Sequence, residues 1–181
     1  MKLASHISYY FYLASGKRSF KKASLLLSRH VYSERKTIKI LEQAGATIAR
    51  PVTIRGPLSI EENAILQVEE HAFINFGFTI IGTGRITIGI NSLIGPNTTL
   101  ITASHHIDPQ QRLQDRSAIT KGIHIGENVW IGANVTICPG VTIGRNTTIG
   151  AGSVVTKDIP DNVFAAGSPC KLKRNLANPV D

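Results

Sequence analysis

The densest collection of reactive side chains in the sequence is TASHHIDPQQR, residues 102–112, which holds Thr102, Ser104, His105, His106, Asp108 and Arg112. Histidine is the side chain whose ordinary pKa lets it take a proton near neutrality and give it back later. An alcohol is a poor nucleophile at that pH, so a histidine in this stretch could act as general base for an attacking hydroxyl. Residue type alone leaves His105 and His106 both eligible. Metal chemistry fits less well: His105 and His106 are adjacent, and His71 and His124 have no partner at a ligand spacing. Cys138 and Cys170 form neither a disulfide framework nor a metal-type pair, so packing accounts for both and a reducing cytoplasm is the expected compartment.

The elements that must position this stretch announce themselves by a repeat. From Ile125 an aliphatic residue recurs at Ile131, Ile137, Ile143, Ile149 and Val155, and the same phase runs through Ile88, Ile94 and Leu100. A looser version includes Ile48, Ile54, Ile60 and Leu66. A period of six fits neither an α-helix nor a β-meander; it is the mark of a hexapeptide β-helix, in which each hexad makes one short strand and one turn. The first residue points inward and stacks on its equivalent in the next coil. A narrow core of Ile and Val needs few large rings, in keeping with 6% aromatic residues. Gly126, Gly132, Gly144, Gly150, Asn128, Asn134 and Asn146 read as corner residues, where a side chain would oppose the backbone. The phase breaks between Leu100 and Ile125, so residues 103–122 read as a loop inserted into the coil, and loops on a rigid scaffold commonly carry function.

The repeat and the TASHHIDPQQR segment resemble the left-handed β-helix family of hexapeptide-repeat acyltransferases, closest to its maltose and galactoside O-acetyltransferase branch, whose own segment is near TATHPLDPEER. The resemblance covers roughly residues 48–174. It implies an all-β, left-handed parallel β-helix, three hexads to a coil, with three subunits side by side and active sites between them. It implies acetyl-CoA as co-substrate and no metal. It also separates the two histidines: His105 falls on the catalytic position, and His106 stands where the branch has proline. Asn75, in FINFG, falls on a substrate-contacting asparagine. Ala133, in the hexad after Trp130, falls where a backbone N–H holds the oxyanion.

The longest match is IGAGSVVTKDIPDNVFAAGSPCKLKR, residues 149–174, which resembles the family's coenzyme A segment. It implies that Ala151, Thr156 and Lys157 line the cofactor groove, with Trp130 near the thiol end. Lys171 and Arg174 then meet the phosphates from a short C-terminal helix, three residues apart on one face. At Lys171 the galactoside enzyme has arginine, so the charge is kept without the bidentate fork. Cys170 occupies a small position after proline.

Two departures bear on the acceptor. Residues 1–47 lack the compact helical domain of the maltose and galactoside enzymes, and IIGTG, residues 80–84, stands where that branch has an aliphatic pair followed by aspartate. A sugar or polysaccharide-precursor hydroxyl is the favoured acceptor; a streptogramin antibiotic or serine is the alternative, and a β-helical carbonic anhydrase a more distant one. A non-catalytic alternative treats Thr136, Thr142 and Thr148 as a ladder forming a binding face.

Charge is polarised. Of a net +8, residues 1–50 hold ten Lys and Arg against two acids, and residues 51–181 hold ten against ten. The balanced remainder argues against a nucleic-acid partner. The first sixteen residues are too short to span a bilayer, and their positive charges follow the apolar stretch, the wrong order for a secretory signal. Phe20, Ala23, Leu26 and Leu27 share one helical face over residues 19–30, so this basic extension, 1–47, is expected to be helical and to cap the open coil. Its other reading is weak contact with an anionic membrane, through Tyr9, Tyr10, Phe11 and Tyr12. The β-helix is expected over 48–170 and a tail over 171–181.

Overall fold

A computed structural model describes residues 2–14 and 20–176. Three helices, α1 (Lys2–Ala14), α2 (Phe20–Arg29) and α3 (Glu34–Ala44), precede a parallel β-helix whose coils each cross three faces. Ser19 and residues 177–181, where the expected helix begins and the expected tail ends, lie outside the described residues.

On face 1 the inward residues Ile48, Val68, Ile88, Ile125 and Ile143 stack in register. Face 2 stacks Ile54, Ile74, Ile94, Ile131, Ile149 and Ala165, and face 3 stacks Ile60, Ile80, Leu100, Ile137 and Val155. Nearly all of these side chains are fully buried, so each rung adds apolar burial at both neighbours.

The looser phase of the first coils has a specific origin. On face 1 the strands Ile65–Val68 and Arg85–Ile88 are four residues long and bury two side chains each. Leu66 therefore stacks on Ile86, which in turn meets Ile123, while Val68 carries the ladder begun by Ile48. This corrects the placement of Leu66 in the Ile48 ladder: these coils hold two residues more than three hexads.

The corners are also divided differently from the expectation. Asn128, Asn134 and Asn146 take left-handed backbone conformations, φ 52°, 56° and 55°, and amide side chains stack from Asn128 to Asn146 to Asn162 through hydrogen bonds of 2.9 and 3.0 Å. Gly126, Gly132, Gly144 and Gly150 are not left-handed; their role is close approach. A Cβ on Gly132 would sit 2.6 Å from the Ala151 nitrogen, which no rotamer could relieve.

Both ends of the coil are finished. Face 3 would begin with unpaired N–H groups, and α2 supplies acceptors: Leu58 N donates to Leu27 O at 3.2 Å and Ile60 N to Ser24 Oγ at 3.0 Å. The helix forms on the predicted face, burying Phe20, Ala23 and Leu27. At the other end Val163–Ala166 is paired by Lys171–Asn175, which runs antiparallel to it. The expected short C-terminal helix is thus a strand. A helix there would have left the last rung's edge bare, whereas a charged strand closes it. Phe164 faces Arg174 and Ala165 faces Leu172, leaving Lys173 as the extra residue of a bulge. Lys171 and Arg174 do not share a helical face.

Candidate active site

The inserted segment 103–122 is a built arm rather than a plain loop. Its root is Thr102, fully buried, whose hydroxyl donates to Ile81 O at 3.1 Å and accepts from Gly84 N at 3.0 Å. Ala103–Ser104 then pairs antiparallel with Ile119–Thr120, and a short helix, α4 (Pro109–Gln114), makes the tip. A Cβ on Gly84 would lie 2.8 Å from that of Thr102 and 2.9 Å from Lys121 O. The IIGTG segment, where the branch carries aspartate, here serves to seat the arm.

Within the arm most polar side chains are committed to its own structure. Asp108 caps α4 by accepting from Gln111 N at 2.9 Å, with Pro109 at the first helical position. Arg112 ties down the backbone after the histidines, donating to His106 O at 2.9 Å and Ile107 O at 3.1 Å. His106 reaches across the base of α4 to Asp115, 3.7 Å away. The Asp115 carboxyl is held below the usual range, first by hydrogen bonds from Ser117 and to a smaller extent by His106. His105 is exposed and makes no hydrogen bond to any described residue. The bracing of one histidine and the freedom of the other separate two side chains that residue type could not.

Face 2 carries a groove of about 420 Å³. It brings together four of the expected site residues, Asn75, Trp130, Ala133 and Ala151, between Leu93 and Phe164. Trp130 is 57% exposed, an unusual state for so large a ring outside a binding surface. Asn75 Oδ1 accepts from Phe76 N at 2.9 Å, which orients its amide nitrogen away from that contact. Neighbouring coils touch at this corner, Gly152 N donating to Ala133 O at 2.8 Å. The N–H groups of Ala133 and Ala151 themselves have no acceptor among the described residues. Unpartnered amides in an apolar groove are available to a ligand carbonyl or oxyanion.

The remaining expected residues lie elsewhere. Thr156 and Lys157 are exposed at the corner after Val154–Val155, and their N–H groups also lack an acceptor among the described residues. Lys171 and Arg174 are exposed on the terminal strand, Arg174 beside Phe164 at one end of the groove. His105 does not line the groove. Sequence reasoning missed Phe73, Leu93 and Phe164 as groove walls. The available signal was position: Phe73, Leu93 and Trp130 each directly precede an inward residue of face 2, so they point out from the same side of the coil.

The same rule corrects the threonine ladder. Thr136, Thr142 and Thr148 lie on faces 3, 1 and 2 respectively, because six residues carry the chain to the next face. They form no common surface. Cys138 and Cys170 pack against the core, and burial pushes the Cys170 thiol up. No three His, Cys, Asp or Glu side chains gather into a metal-sized cluster among the described residues. No helix among them is long and apolar enough to cross a membrane.

A parallel β-helix of hexads crossing three faces per coil is the architecture of the hexapeptide-repeat transferases. Residues 122–157 match the sequence family described as bacterial transferase hexapeptide (six repeats). The galactoside O-acetyltransferase of Escherichia coli (strain K12) is 39% identical over 147 residues, covering 81% of this chain and 72% of that one. Among solved structures, a hexapeptide-repeat acetyltransferase of Vibrio cholerae O1 biovar eltor complexed with acetyl coenzyme A superposes with a TM-score of 0.79 at 31% identity, covering 88% of this chain and 86% of that one. A galactoside acetyltransferase in complex with coenzyme A gives 0.70 at 35% identity, covering 87% and 79%. The chain belongs to the hexapeptide-repeat acetyltransferase family, whose β-helix is left-handed.

Proposed function

We propose that this protein is an acetyl-CoA-dependent O-acetyltransferase that acts as a homotrimer on a hydroxyl of a sugar or polysaccharide precursor in the cytoplasm. The observation that carries the reading is the pair of free N–H groups, Ala133 and Ala151, in an apolar groove beside Trp130. A slender pantetheine arm suits such a groove: its amides can pair with exposed backbone, and its thioester end comes to Trp130. Thr156 and Lys157 offer two more free amides at the next corner of the coil, and Lys171 and Arg174 offer cations for the nucleotide phosphates.

His105 takes the proton of the acceptor hydroxyl as its oxygen attacks the thioester carbonyl. Ala133 N–H stabilises the oxyanion that forms, and Asn75 orients the acceptor. Collapse of the tetrahedral intermediate breaks the carbon–sulfur bond, and the proton passes from His105 to the thiolate. The products are an acetyl ester and coenzyme A, with no acyl-enzyme.

The separation of the parts supports a site shared between copies of the chain. His105 stands on the arm, away from the groove of its own chain, and the arm displays Ile107 and Leu113, 95% and 73% exposed. An apolar tip carrying the base suits the groove of a neighbouring copy.

Release of free thiol from acetyl-CoA, measured against sugars, nucleotide sugars, serine and a streptogramin, tests the acceptor. A sugar-containing acceptor is expected to turn over; turnover confined to serine or the antibiotic overturns that part. His105→Ala is expected to lower kcat by about 10²- to 10⁴-fold with the trimer intact by light scattering. Activity within about tenfold of the parent removes His105 from the role.

A further inference from the structure

Helix α1 is amphipathic in the inverted sense. Its buried side is given over to Tyr9 and Tyr12, whose hydroxyls need partners: Tyr12 donates to Ile40 O at 3.3 Å, and Tyr9 packs by its ring against Tyr32. Its outward side carries Ile7, Tyr10 and Phe11 at helical spacing, 62%, 61% and 77% exposed. Leu25 of α2, 51% exposed, continues this surface across a cleft of about 310 Å³ between the two helices. A helix that only capped the coil would turn these residues inward.

The surroundings of the patch are basic. Lys22 and Arg29 are exposed on α2, as is Lys21, which pairs with Glu62 at 3.6 Å; Lys17 and Arg18 lie between the helices in the sequence, and α1 contains no acid. The whole net charge of +8 is carried by residues 1–50. Exposed aliphatic and aromatic side chains on a strongly basic segment, with Lys22 in the cleft between the helices, are complementary to one surface above others, an anionic bilayer, where rings and chains enter the acyl boundary and cations meet the headgroups.

We propose that the α1–α2 face docks this enzyme on an anionic membrane. Ile7, Phe11 and Leu25 enter the interface, and the lysines and arginines of the extension engage anionic headgroups. The contact is reversible, since a short amphipathic surface without a lipid anchor binds weakly. The docked face belongs to the helices at the first coil, so the groove on face 2 stays open to a membrane-associated acceptor.

Co-sedimentation of the full chain with vesicles tests this directly, using phosphatidylcholine alone and phosphatidylcholine mixed with phosphatidylglycerol. Pelleting is expected only with phosphatidylglycerol at low salt and is lost at high salt. Phe11→Glu, at an exposed position, is expected to lower the bound fraction about tenfold or more while thermal melting, trimer mass and acetyl transfer to a soluble acceptor are unchanged. No pelleting at low salt overturns the proposal, as does pelleting that Phe11→Glu leaves intact. Dissociation of the trimer by Phe11→Glu also overturns it, by making the patch a contact between copies.

Discussion

Faces 2 and 3 of the coil share one inward design and differ outside. Ile94, Ile131 and Ile149 on face 2 match Leu100, Ile137 and Val155 on face 3, all fully buried. The residue before the inward position then diverges at most rungs: Phe73, Leu93, Trp130 and Phe164 on face 2, where only Thr53 and Thr148 keep a threonine, against Thr79, Thr99, Thr136 and Val154 on face 3. One position per strand fixes the fold, and the next is free to specialise, because alternate strand residues point to opposite sides. A groove can be placed on one face without altering the core that all faces share.

The comparison can be broken at the corners first. Ala133 stands two residues after the inward Ile131; the equivalent residue after Ile137 on face 3 is Pro139, and the one a coil earlier on face 2 is Pro96. Proline is therefore compatible with this corner, and Ala133 N–H has no bond to lose among the described residues. Ala133→Pro is expected to reduce kcat by about 10²- to 10³-fold while leaving the melting temperature near the parent's. Unchanged turnover would show that the oxyanion is held elsewhere.

A test of similar size, read in stability, compares the inward positions themselves. Ile131→Ala and Ile137→Ala should each destabilise the fold by about 2–5 kcal/mol, measured by denaturant unfolding of the trimer at fixed concentration. A gap between them larger than about 2 kcal/mol would mean that the two faces do not carry equivalent cores.

The smallest effect separates the outward positions. Trp130→Ala should raise the KM for acetyl-CoA about tenfold, the loss of roughly 1.4 kcal/mol of aromatic contact. Thr136→Ala, its counterpart on face 3, should change KM by less than about twofold. Equal responses would remove the functional distinction between the faces.

Much of the candidate site was legible because a hexad repeat turns sequence distance into direction. Trp130, Ala133 and Ala151 meet in one groove as the family match implies, and Asn75 joins them from an earlier coil. What escaped the sequence involved a change of period or of partner. The two extra residues in the strands Ile65–Val68 and Arg85–Ile88 shifted Leu66 out of its apparent ladder. The basic run at Lys171 has the spacing of a helix, yet it pairs with Val163–Ala166, since a bare strand edge offers more hydrogen bonds than an isolated turn of helix can make.

The sequence by itself determined the β-helix, its interruption after Thr102 and the residue types available for acyl transfer, because short-range periodicity and local composition carry that information. Only the tertiary structure decided which of these residues are free to act. Asp108, Arg112 and His106 are spent on bracing the arm, while among the described residues His105 is left unengaged and the amides of Ala133 and Ala151 are left without acceptors. Commitment of a polar group depends on what lies across from it in space, and that is settled by the stacking of coils rather than by the order of residues.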